Sequence, residues 1–211
     1  MAVTWVEYIK SRKTLEVFAG NSVTGTWMNV FNEVIQRFNG LALGVTLIVG
    51  TNVKQPDPSN LNGADVWLEV SKPVFSFDVV SRDFKVNGKV VTAICKKGVG
   101  GNTQSVQRDV MGSPGPVLKM CILMKTLKTK SGGVVRILGN NALKCYLFHE
   151  LLHACGLQNS DHTFDDVFSA NLTPQPMSNP QYDHVESITS RKLPPIFLNG
   201  NTVTGIAKLW V

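Results

Sequence analysis

The residues best suited to chemistry lie together in one short stretch. All four histidines, His149, His153, His162 and His184, fall within residues 149–184, and none precedes position 149. The segment 149–162 reads HELLHACGLQNSDH. On a helix, His149 and His153 leave the same face one turn apart, so both imidazoles can hold one divalent cation. Glu150 sits beside His149 and can reach a water on that ion without ligating it. Two imidazole ligands and a carboxylate base are the working parts of a zinc hydrolase. Bound zinc can lower the pKa of its water from ~15.7 to about 7. Glu150 can then take the proton as the water attacks a carbonyl, and pass it to the leaving amine. A surface pair, or two satisfied core histidines, would show the same spacing, so the flanking residues must decide.

Three of them favour a metal site. Gly156 follows His153 by three and can turn the chain sharply with positive φ. His162 comes soon after that turn, where a third ligand is needed. Met177 lies in a Pro-rich turn, Pro176-Met177-Ser178-Asn179-Pro180. HExxHxxG with a later histidine and a Met-containing turn resembles the metzincin clan of zinc endopeptidases. The motif covers about residues 149–184, and the order of elements upstream is compatible with the clan's N-terminal lobe.

The resemblance implies that His149 and His153 are zinc ligands, Glu150 the base, and Gly156 the turn between lobes. It makes Met177 an apolar floor beneath the metal, and Tyr182, five residues on, a donor to the oxyanion. One departure stands out. The clan's usual third ligand would fall on Asn159, a poor zinc ligand. Of the neighbouring residues His162 is favoured over Asp161, because neutral imidazole suits zinc. His184 is a more distant candidate ligand or oxyanion donor. Asp161, Asp165 or Asp166 could orient a ligand imidazole from behind.

These residues need elements to position them. Trp27, Val30, Phe31, Val34, Ile35 and Phe38 recur at spacings of three and four, which predicts a helix capped by Thr24 or Thr26 and stopped at Asn39-Gly40. Strands are expected at 45–49 and 65–70, with a meander over 75–80 and 85–95 that turns at Asn87-Gly88. Residues 98–115, rich in Gly, Ser, Asn and Pro, read as a loop. Residues 117–127 read as a central strand and 134–138 as another. Asn140 or Asn141 would cap the helix from about 142 to 155 that carries the motif. Beyond it the chain reads as irregular, ending in a hairpin-like turn at Asn199-Gly200. The expected fold is α+β and zincin-like. It is one catalytic domain over 1–211, with a twisted mixed sheet, two main helices, an N-terminal lobe over about 1–156 and a small irregular C-terminal lobe over about 157–211.

Composition narrows the class. The chain has 211 residues, 43% hydrophobic and 17% charged, which excludes a disordered or fibrous protein. The longest apolar stretch, 41–50, is too short for a membrane span, which needs about 20 residues. The first residues, MAVTWVEYIKSRK, are not those of a signal peptide, since Glu7 and Lys10 interrupt any apolar region. The expected location is therefore cytoplasmic, or outside the cell or in a particle without a classical signal. The four cysteines lack paired spacing and are expected to be reduced and buried.

Net charge is +6, but residues 1–148 hold 18 Lys and Arg against 9 Asp and Glu, whereas 149–211 hold 3 against 6. A basic stretch runs through Lys119, Lys125, Lys128, Lys130 and Arg136; no nucleic-acid motif accompanies it, so solvated positions are the plainer reading. The functional expectation is a monomeric zinc-dependent endopeptidase acting on protein or peptide substrates. The rivals are a non-catalytic protein with a degenerate metzincin site, motivated by Asn159, and a zinc peptidoglycan hydrolase, motivated by the basic surface.

Overall fold

The computed structural model describes residues 3–49, 63–86, 89–110, 113–158 and 200–211. The chain opens with α1 (Glu7–Arg12), β1 (Thr14–Ala19), α2 (Thr26–Gly40) and β2 (Thr46–Ile48). Then come β3 (Val66–Phe75), the pair β4 (Val80–Val86) and β5 (Lys89–Cys95), β6 (Gly101–Val110), β7 (Ser113–Ser131) and β8 (Val134–Ile137). Two helices follow, α3 (Asn140–Ala154) and α4 (Gly200–Leu209). The fold is mixed α and β. Among the described residues no helix is long and apolar enough to cross a membrane.

The main sheet has the order β2-β1-β3-β7-β6, with β8 pairing the far end of β7. Strands β1, β2, β3 and β7 run parallel, while β6 and β8 run antiparallel to β7. Strand β7 is covered on both faces, which explains its unbroken apolar run. Met120, Ile122 and Met124 join the large core under the helices; Cys121 and Leu123 join a smaller core with Phe84, Val86, Ala93 and Cys95 of the β4–β5 pair. All four cysteines are free and buried, as expected. Burial pushes the Cys95 and Cys121 thiols up to about 12, so neither supplies a thiolate at neutral pH.

Several local expectations are corrected. Strand β6 occupies most of the segment expected to be a loop. It is an edge strand of mixed polar residues, so it lacks the apolar alternation that marks half-buried strands. The segment 75–80 is the end of β3 and a turn, where Asp78 accepts the Phe75 amide at 2.8 Å. Gly25 at φ 54° precedes α2, and Gly139 precedes α3, so none of the threonines or asparagines expected as caps occupies the cap position.

The C-terminal residues form a helix instead of a hairpin. Thr202, Ile206 and Trp210 recur every four residues and are all buried, the last two in the large core. The basic stretch is solvated only in part: Lys130 and Arg136 are exposed, but two of its lysines are not. Lys119 and Lys125 are 1% exposed. Lys119 donates to the carbonyls of Gly63 and Ala64 and lies 3.6 Å from Asp65. Lys125 donates to the carbonyls of Ser76, Asp78 and Lys96, and so ties both ends of the β4–β5 pair to the sheet.

Candidate metal centre

Helix α3 lies under the main sheet with Leu147, Phe148, Leu151 and Leu152 in the core. Its other side meets the start of β6, where His149, Glu150 and His153 line a cleft of about 710 Å³. The cleft is walled by Gly101 to Ser105 of β6, by Ile94 of β5, by Lys96 and Val99 beyond it, and by Leu157 and Gln158 after the helix. Gly101 permits this approach. A Cβ on it would lie 2.6 Å from Cγ of Glu150, closer than carbon atoms pack.

The two imidazoles converge. His149 Nε2 and His153 Nε2 stand 3.0 Å apart, with the rings near perpendicular at 83°. His153 is oriented from behind, because its Nδ1 lies 2.8 Å from the carbonyl of Leu157. A carbonyl only accepts, so Nδ1 carries a proton and Nε2 is the atom that faces His149. Two nitrogens facing each other at this distance require a proton or a cation between them. Zinc–nitrogen bonds of about 2.0–2.1 Å span such a pair readily. The donor set thus fits a zinc ion bound through both Nε2 atoms.

The backbone after the helix explains the Leu157 carbonyl. Gly156 has φ 108°. Its amide donates to His153 O, and the Leu157 amide donates to Leu152 O. This is a Schellman turn, which satisfies the last helical carbonyls and reverses the chain. The reversal puts the Leu157 carbonyl against the His153 ring. A Cβ on Gly156 would lie 2.4 Å from the carbonyl oxygen of Val3, so only glycine closes this turn.

Glu150 is 5% exposed. Its Oε2 accepts a hydrogen bond from Thr103 Oγ1 at 2.7 Å. Burial raises the carboxyl pKa above the usual range; the charge on His153 and the Thr103 hydrogen bond act in the opposite direction. A carboxylate with a raised pKa, beside a histidine pair in a cleft, is suited to proton transfer.

The structure therefore brings together His149, Glu150 and His153. His162, Asp161, Asn159, Met177, Tyr182 and His184 lie outside the described residues, as do Asp165 and Asp166. Among the described residues no cluster of three or more His, Cys, Asp or Glu side chains is suited to hold a metal. Sequence reasoning missed Thr103, Gly101 and the Leu157 carbonyl. The first two lie on the unrecognised strand β6, and the third is a backbone group that no residue type announces. No protein-family model, curated protein or solved structure matches the chain.

Proposed function

We propose that the chain is a zinc-dependent endopeptidase of metzincin type. The observation that carries this reading is the 3.0 Å approach of His149 Nε2 and His153 Nε2 with Glu150 in the same cleft. His149 and His153 would hold the ion, with His162 the favoured third ligand, Met177 beneath it and Tyr182 a donor to the oxyanion. A zinc ion there supplies Lewis acidity, acidifying a water and polarising the scissile carbonyl. Leu157 fixes the His153 ring so that Nε2 stays a ligand atom. Thr103 holds the Glu150 carboxylate at the cleft, where Oε1 or Oε2 accepts a proton and returns it to the leaving amine nitrogen. Strand β6 ends the sheet beside these residues. Its outer backbone groups suit an extended peptide that adds as a further strand.

The test combines metal content with proteolysis. One zinc per chain is expected, lost in His149→Ala and His153→Ala. Glu150→Gln should retain the metal and abolish cleavage of a denatured protein mixture. Undiminished cleavage by Glu150→Gln would sink the enzyme reading. His162→Ala should weaken zinc binding, and Asn159→Ala should not; the reverse result reassigns the third ligand.

A further inference from the structure

Two adjoining turns leave apolar side chains in water. The first, between β3 and β4, carries Phe77 and Val79, which are 59% and 64% exposed. The second, between β5 and β6, carries Val99, 40% exposed. Single apolar residues on a surface are ordinary, but a group of them in neighbouring turns marks a place that a partner covers.

The two turns are fastened to each other. The Gly98 amide donates to the Ser76 carbonyl at 2.8 Å. The Lys125 ammonium donates to the carbonyls of Ser76 and Asp78 in the first turn and of Lys96 in the second. Phe77 also stacks on Phe75, with ring centroids 5.2 Å apart and planes 9° apart, and Lys128 Nζ lies 4.4 Å from the Phe75 centroid. The exposed groups are therefore held at fixed places, and little freedom is lost when a partner covers them.

Charge and side-chain type narrow the partner. Lys96 and Lys97 are exposed in the second turn. Segments 75–79 and 95–99 hold one carboxylate, Asp78, and its Oδ2 accepts the Phe75 amide. An exposed ring with basic neighbours also suits a single-stranded nucleic acid, whose bases stack on aromatic faces. Two of the three exposed apolar groups are valines, however, which offer a base no ring and gain instead by entering hydrocarbon.

We propose that these turns dock the protein on the surface of an anionic lipid bilayer. Phe77 and Val79 enter the boundary between headgroups and acyl chains, Val99 lies at its edge, and Lys96 and Lys97 meet the negative headgroups. Lys96 and Val99 also line the histidine cleft, so docking brings the mouth of that cleft beside the membrane. Docking does not depend on the peptidase reading, because it is measured without catalysis.

Co-sedimentation of the full chain with large vesicles tests it. Phosphatidylcholine vesicles with ~30 mol% phosphatidylserine should bind ~10-fold or more tighter than pure phosphatidylcholine vesicles, and added salt should weaken the binding. Phe77→Ser with Val79→Ser should weaken it by ~10-fold or more at an unchanged urea midpoint, since both side chains are exposed. Lys96→Glu with Lys97→Glu should weaken binding to the anionic vesicles by ~10-fold or more and leave the neutral vesicles unaffected. The same proteins are titrated into labelled oligothymidine and run in sedimentation velocity. No vesicle binding, equal binding to both vesicles, or binding unmoved by either double substitution would overturn the proposal. So would oligothymidine binding or self-association that the Phe77 and Val79 changes abolish while vesicle binding persists.

Discussion

Helices α2 and α3 are each 15 residues long and pack against one another, yet they differ in how they treat water. In α2 the buried residues Trp27, Val30, Phe31, Val34, Ile35 and Phe38 form one stripe, and Asn32, Glu33, Gln36 and Arg37 face solvent. In α3 burial extends around the helix, through Ala142, Leu143, Cys145, Leu147, Phe148, Leu151, Leu152 and Ala154. The exposed polar groups of α2 can be met by water, and Glu33 also pairs with Lys144 of α3. On α3 polar groups stand in dry surroundings, where an unmet polar group costs several kcal/mol. Glu150 is accordingly tied to Thr103, and His153 to Leu157. One helix is scaffold; the other holds Glu150 and His153 by specific contacts.

Substitutions can break or sharpen that contrast. The largest effect expected is on chemistry. Glu150→Gln should lower peptide hydrolysis by ~10²–10⁴-fold while the urea midpoint stays near that of the parent; equal turnover would remove α3's special status. Next comes Phe148→Ala, which deletes a ring with 0% exposure packed 5.6 Å from Phe38. Urea denaturation should show a loss of about 3–5 kcal/mol.

Gly101→Ala puts a methyl into the Glu150 side chain and should cost about 1–3 kcal/mol. A neutral result in the same denaturation would mean that β6 yields and that the close approach is not needed. Thr103→Val withdraws the donor from a buried carboxylate and should cost about 1 kcal/mol, with a larger relative loss in turnover than in zinc affinity. Smallest is Gln36→Ala on the wet face of α2, expected within about 0.5 kcal/mol. A loss beyond 1 kcal/mol there would erase the distinction between the helices.

The same contrast explains what the amino-acid sequence discloses. The apolar stripe from Trp27 to Phe38 is periodic, and α2 is legible to within two residues of its end. Helix α3 is apolar nearly all round, so periodicity says little, and only the HExxH pattern places it. Strand β6 is illegible for the opposite reason: NTQSVQRDV offers two valines and no stripe, since an edge strand beside a polar cleft buries little. The Asn199-Gly200 pair suggests a turn, but the spacing of Thr202, Ile206 and Trp210 prevails, because burying Ile206 and Trp210 in the core outweighs a local turn preference. Lys119 and Lys125 mislead because charge alone does not tell an exposed lysine from one sheathed in carbonyls.

The end of α3 carries a kinetic consequence. Its last carbonyls are met from far away: Ala154 O by the Trp5 indole, Cys155 O by the Trp210 indole, and Gly156 O by the Val3 amide. Two of these partners lie about 150 residues upstream and one lies 55 residues downstream. Closing such loops is entropically slow. The turn that aims His153 should therefore be completed late in refolding. Amide exchange at Val3 and Gly156 should become protected after the β3–β7 amides do, and the capacity to bind metal should emerge with that last phase.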